Sequence, residues 1–126
     1  MSPILARKVQ RNAFRRDVLL GCQVVRERDF SLVSSLAFDL SQGGMLVLTA
    51  GRVLTGEELL VSFRAPQTGE WFDLEATVAR VLHGRRPGDR GRCLGLEFQS
   101  FDLAGRWRLS EGIRGLPPAS IGRDAN

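Results

Sequence analysis

The chain has 126 residues, 43% of them hydrophobic and 25% charged, the make-up of one globular domain rather than of a disordered segment. Lys and Arg total 18 against 14 for Asp and Glu, a formal charge of +4 with Lys8 the only lysine; this arginine bias fits recognition of phosphate or a base edge, but so small a surplus does not establish a nucleic-acid partner. No apolar run approaches the ~20 residues needed to span a bilayer, residues 1–16 lack the apolar stretch of a secretory leader, and Cys22, Cys93 and His83 have no metal-ligand spacing, so the expectation is a cytoplasmic protein with reduced thiols, no metal and no cofactor.

Residues 1–16 read as an exposed, mobile basic arm, with Arg7, Lys8, Arg11, Arg15 and Arg16 among only scattered apolar residues. Asp17–Val25, rich in Val and Leu, reads as the first strand. Ser34–Leu40 alternates, with Leu36, Phe38 and Leu40 on one face and Ser35, Ala37 and Asp39 on the other. Gln42-Gly43-Gly44 breaks it, and Met45–Thr49 resumes as a short strand. Glu58–Arg64 is the fourth strand, and Ala65–Gly69 a turn carrying Pro66 and Gly69. In Trp71–Leu82 the alternation of Phe72, Leu74, Ala76 and Val78 slips, because Arg80 falls where an apolar residue is due and Val81 takes over, as a bulge would cause. A polar hairpin loop, residues 84–92, leads to the last strand, Cys93–Phe98. Six such segments on short turns imply a small antiparallel barrel or sandwich.

The period then changes. Phe101–Arg114 sets Leu103 with Trp107, and Leu109 with Ile113 and Leu116, at helical spacings. Asp102 favours the helix start, and Gly115 with Pro117 and Pro118 stops it. Gly105 and Gly112 weaken this helix, so it depends on packing against the barrel. The domain limits are therefore an arm over 1–16, a barrel with its helix over 17–116, and a disordered tail over 117–126.

No catalytic constellation emerges, so the chain is not expected to be an enzyme. His83 stands beside a Gly/Arg/Pro loop without a nucleophile motif. Asp73 with Glu75, and Glu57 with Glu58, read as solvated carboxylates on strand ends. The glycines 88, 91 and 95 precede no helix, which excludes a P-loop or dinucleotide fingerprint. Cys22 and Cys93 lie in apolar runs and read as packing residues.

Two patterns remain. Arg11-Asn12-Ala13-Phe14-Arg15 is RxxxR, and two guanidinium groups at that spacing can grip one compact anion or present forks to guanine O6 and N7. Asp39-Leu40-Ser41-Gln42-Gly43-Gly44 is DxSxxG at a strand end. There, Asp39 can accept from the N1–H and amino group of guanine, Ser41 adds a hydroxyl, and Gly44 permits close backbone approach or a positive φ. Taken alone, the second pattern reads more readily as an Asx or ST turn closing a hairpin.

With these two motifs in this order, the chain resembles the PilZ domain family, whose members bind the bacterial second messenger cyclic di-GMP. The resemblance runs from about Arg7 to Leu116. Weaker marks are the long strand ending Ala76-Thr77-Val78-Ala79-Arg80-Val81 and the Gly95-Leu96-Glu97-Phe98 of the last strand. It implies a mainly β fold, a six-stranded antiparallel barrel with a C-terminal helix. It also implies that Arg11 and Arg15 contact phosphates and guanine while Asp39 and Ser41 bind a guanine edge and Gly44 makes room. Arg16 and, more weakly, Arg80 are helpers. Gln10 stands where the family's choice between one ligand and a stacked pair is influenced. The implied mechanism is a ligand-ordered arm that changes the surface read by a downstream partner protein. Two other readings stay open on the residues alone: an adaptor that binds protein without nucleotide, and a general nucleic-acid module, against which stand 7% aromatics and no tyrosine.

Overall fold

The computed structural model of the chain describes residues 16–84, 91–99 and 101–117. Residues 1–15 of the expected arm, Gln10, Arg11 and Arg15 among them, lie outside the described residues, as do the tail after Pro117 and most of the loop over 84–92. The strands are β1 (Arg16–Arg26), β2 (Leu32–Leu40), β3 (Gly44–Leu48), β4 (Glu58–Arg64), β5 (Trp71–Leu82) and β6 (Cys93–Phe98), followed by helix α1 (Leu103–Gly112). They close a barrel in the order β1-β2-β3-β6-β5-β4, and every neighbouring pair is antiparallel. Closure removes the free sheet edges that an open sheet of this size would expose.

The interior is filled by alternate residues of each strand, Val24, Val47, Leu59, Val61, Phe63 and Leu94 among them. At the end near α1, Phe63 stacks on Phe72 and Phe98 at centroid distances of 5.6 and 6.1 Å, and Phe101 meets Phe72 and Phe98 edge-on. Leu109 and Ile113 of the helix region join this core. The Asp102 carboxylate caps the helix, accepting from the Gly105 N–H at 2.7 Å. The two helix glycines have a packing reason, because a Cβ at Gly112 would stand 2.5 Å from Ala65 Cβ and one at Gly105 would overlap the Phe101 ring. The slip in β5 is a bulge: Val78 pairs with Leu96 and Arg80 with Gly95, which leaves Ala79 as the extra residue.

Two expectations are corrected. In β2, Ala37 pairs with Val47 and Asp39 with Leu46, so Phe38 is an extra residue there as well. The bulge puts Ala37 and Leu40 in the interior although they are three residues apart, and leaves Leu36 and Phe38 on the outer wall in a separate cluster with Leu46 and Cys93. The apparent face of Leu36, Phe38 and Leu40 is thus split. In α1 the buried residues are Gly105, Leu109 and Gly112, while Leu103 and Trp107 point outward, 85% and 63% exposed. Close approach at the glycines, which apolar spacing does not register, sets the packed face.

The body also extends one residue beyond each end of the expected barrel. Arg16 is the first residue of β1, and the Pro117 carbonyl accepts from the Asp17 N–H at 2.6 Å.

Candidate functional site

Asp39 stands on the outer wall. Val18 and Leu20 of β1 face the core, so Asp17 faces out, and its Cα partner is Asp39. On the other side Asp39 pairs with Leu46, Leu46 with Gly95, and Gly95 with Arg80. These residues form one lateral row around the barrel. Adjacent strands are about 4.8 Å apart, so Asp39 and Arg80 are separated by roughly 14 Å of wall. Asp39 is only 1% exposed.

Gly95 gives the row its shape. A Cβ there would lie 2.9 Å from both Cγ and Nε of Arg80, so the arginine stem lies across the bare backbone of β6, pointing along the row. Among the residues named from sequence as possible helpers, Arg80 is therefore brought into line with Asp39. Arg16 is turned elsewhere, its Nη1 donating to the Leu116 carbonyl at 3.3 Å. Leu46 and Gly95, which floor the row between the two charged residues, were not singled out from sequence as site residues. A glycine inside a strand, which marks close approach, was the available signal for the second.

Ser41 closes the β2–β3 turn. Its Oγ accepts from the N–H groups of Gly43 and Gly44, at 3.1 Å each, and donates to the Gly44 carbonyl at 3.4 Å. The Ser41 N–H donates to the same carbonyl at 2.9 Å. The hydroxyl thus does the work of an ST turn, the plainer of the two readings open to it. Gly44 permits close approach, not a positive φ: its Cα faces the backbone of β6, where a Cβ would overlap the Leu96 carbonyl oxygen. The Gly43 carbonyl is also used, accepting from the Phe98 N–H at 2.9 Å. The turn after Asp39 is therefore held on both sides, by Ser41 from within and by β6 from outside.

The described chain enters this site at Arg16, which pairs with Leu40. Arg15 is bonded to it, and the five residue steps back to Arg11 span at most ~18 Å of extended chain.

The other residues weighed for chemistry lie elsewhere. His83 is exposed. Glu57 receives Arg26 Nε at 3.0 Å and the Leu54 N–H at 2.7 Å, and Asp73 receives the Ser62 hydroxyl at 2.6 Å. Burial pushes the Cys22 thiol up to about 11, which fits an inert packing residue, and Cys93 is buried in the outer cluster. No group of acidic, His and Cys residues among the described residues could hold a metal ion. No described helix is long and apolar enough to cross a membrane.

The PilZ domain model matches residues 9–115. Among solved structures, the chain is similar to the inhibitor of motility MotI/DgrA of Bacillus subtilis, at 24% identity and a TM-score of 0.62 over 78% of this chain and 46% of that one. It is similar to the PilZ domain of YcgR from Escherichia coli, solved with c-di-GMP, at 21% identity and a TM-score of 0.65 over 82% of this chain and 88% of that one. A third likeness is to the PilZ domain of CeSA from a cellulose-synthesising bacterium, at 18% identity and a TM-score of 0.54 over 75% and 89% of the two chains. The chain thus spans less than half the length of the MotI chain. These likenesses are of fold. No curated protein matches the chain in sequence.

Proposed function

The chain belongs to the PilZ domain family, and from that membership we propose that it is a bacterial receptor for cyclic di-GMP, not an enzyme, that passes the signal to a partner protein. Arg11 and Arg15 grip phosphates and guanine faces. Asp39 accepts from a guanine edge with Ser41 beside it, and Gly44 lets the intervening turn lie close to β6. Arg80 bounds the far end of the same wall. Binding draws residues 1–15 across the barrel, a ligand-ordered change of surface that the partner reads. The ligand of the YcgR domain, which shares this fold, supports the choice of dinucleotide.

The observation that carries the reading is the pairing of Asp17 with Asp39. It sets the carboxylate of the second motif one strand away from the point where the first motif joins the barrel, so a single ligand can engage both. A pure anion trap has no use for a carboxylate at that place.

That difference is the test. Calorimetric titration with cyclic di-GMP is run beside GMP, GTP and single-stranded DNA, on the wild type, Arg11→Ala, Arg15→Ala and Asp39→Ala. Cyclic di-GMP is expected to bind far more tightly than DNA at physiological salt. Each arginine substitution is expected to weaken it roughly 10- to 100-fold, the value of a charge-assisted hydrogen bond. Asp39→Ala makes the chain more basic, yet is expected to cost at least ~10-fold because two guanine donors lose their acceptor. Cyclic di-GMP binding that Asp39→Ala leaves unchanged or tightens, in a variant folded by circular dichroism, overturns the role of Asp39. No binding by the wild type overturns the receptor reading.

A further inference from the structure

We propose that the outward face of α1 is a docking surface for an acidic amphipathic segment of a partner protein. The inward face of this helix is settled by Gly105, Leu109 and Gly112. With about 100° between successive residues, Trp107 points directly away from the barrel, and Leu103 and Ala104 lie one turn before it on the same side. All three are exposed. A tryptophan and a leucine left in water on one helical stripe are the kind of anchor that interfaces use, a large rigid ring beside an aliphatic side chain. Scattered apolar exposure needs no explanation, but here two large apolar residues at i and i+4 share the outer face of a helix with no described element over it.

Charge selects the occupant. Arg106, Arg108 and Arg114 flank the stripe. Arg106 uses Nε to donate to the Phe101 carbonyl at 3.1 Å, and Arg108 uses Nε to meet Glu70 at 2.7 Å. Their terminal amino groups have no partner among the described residues. Arg114 meets Glu111 through Nη1 alone, at 3.5 Å and 74% exposed. Each guanidinium therefore keeps donors with which to take a carboxylate in a fork, and exposed ion pairs of this kind cost little to exchange. A helix with apolar residues on one side and Asp or Glu beside them meets both demands: ring and leucine inside, carboxylates on the arginines at the rim.

This names the output surface for the receptor reading above but does not depend on ligand binding, so a chain that ignores cyclic di-GMP still puts it to the test. A displayed library of random peptides is selected on the immobilised full chain, and enriched peptides are titrated into the wild type, Trp107→Ala, Leu103→Ser and Leu54→Ala. Leu54, 64% exposed in the loop between β3 and β4, is the control. Enriched peptides are expected to be acidic with apolar residues at helical spacing. Trp107→Ala is expected to weaken them ~10-fold or more, Leu103→Ser by less, and Leu54→Ala not at all. The substituted side chains are exposed, and circular dichroism checks that each variant is folded. The proposal is overturned if no peptide or only non-acidic peptides are enriched, or if Trp107→Ala leaves binding intact. It is equally overturned if Trp107 instead mediates a dimer in sedimentation or binding to equimolar phosphatidylcholine and phosphatidylglycerol vesicles.

Discussion

Gly44 lies so close to Leu96 that a Cβ on the glycine would overlap the carbonyl oxygen of its neighbour on β6. The last residue of DxSxxG is thus required by the barrel itself, whatever binds outside. Its neighbour Gly43 is different, since a Cβ there meets only the Ser41 hydroxyl, at 3.9 Å. Gly44→Ala is expected to destabilise the free protein by about 1–3 kcal/mol or more, the usual cost of overpacking against backbone. Gly43→Ala is expected to stay within about 0.5 kcal/mol of wild type, as surface substitutions usually do. Urea melts of the two variants compare them directly. Equal stability would mean that β3 and β6 separate more easily than this contact implies.

Ser41 is buried and its Oγ is shared between two backbone N–H groups. Ser41→Ala leaves those donors without their acceptor, so a loss of about 1–3 kcal/mol in unfolding free energy is expected. Any loss of ligand affinity in this variant comes partly through the turn. A wild-type melting curve for Ser41→Ala would show that the hydroxyl is dispensable to the fold and free for a ligand.

The Arg80 stem lies over Gly95, where a Cβ would stand 2.9 Å from its Cγ and Nε. The atoms that a Cβ at 95 would meet belong to a flexible stem, so Gly95→Ala is expected to redirect Arg80 with little loss of stability. On the receptor reading, Arg80→Ala weakens cyclic di-GMP by about 10-fold, a single charge-assisted contact, and Gly95→Ala follows it in the same direction. Titration of the two variants and of the pair together decides this. A double variant whose loss equals the sum of the two single losses would separate the two residues.

Glu57 ties the far end of the barrel together. The Leu54 N–H, and then the Arg26 guanidinium, hold its carboxyl below the ordinary value of 4.5, and Arg26 also reaches the Arg52 carbonyl. Because the folded state prefers the charged carboxylate, its contribution is present above pH 4.5 and lost as pH falls below that point, through the depressed value. Glu57→Gln is expected to lower stability at neutral pH and to flatten the acid limb of a plot of unfolding free energy against pH. Asp29, also held down, chiefly by the Ser31 N–H, is unchanged in both proteins. An acid limb of unaltered slope would show that Glu57 does not report on folding.

The sequence was enough for the number, order and approximate limits of the strands, the helix start at Asp102 and the bulge near Arg80, and it narrowed the architecture to a small antiparallel barrel or sandwich. Each follows from local chemistry: period-two alternation, turn residues, a capping carboxylate and a charged residue falling where an apolar one was due. The pairing of two short motifs also pointed to the family. The bulge at Phe38 left no such mark, because an apolar residue slipped between apolar and small neighbours, and only the register of β2 against β3 showed that Leu36 and Phe38 face outward. Likewise, apolar spacing could not choose between the Leu103–Trp107 and Leu109–Ile113 faces of α1. That choice was made by Gly105 and Gly112, whose missing side chains allow the helix to touch Phe101 and Ala65. The lateral row from Asp39 to Arg80 draws on four strands and exists only once the barrel closes, since periodicity tells which residues share a side of one strand but not which neighbours on other strands they meet.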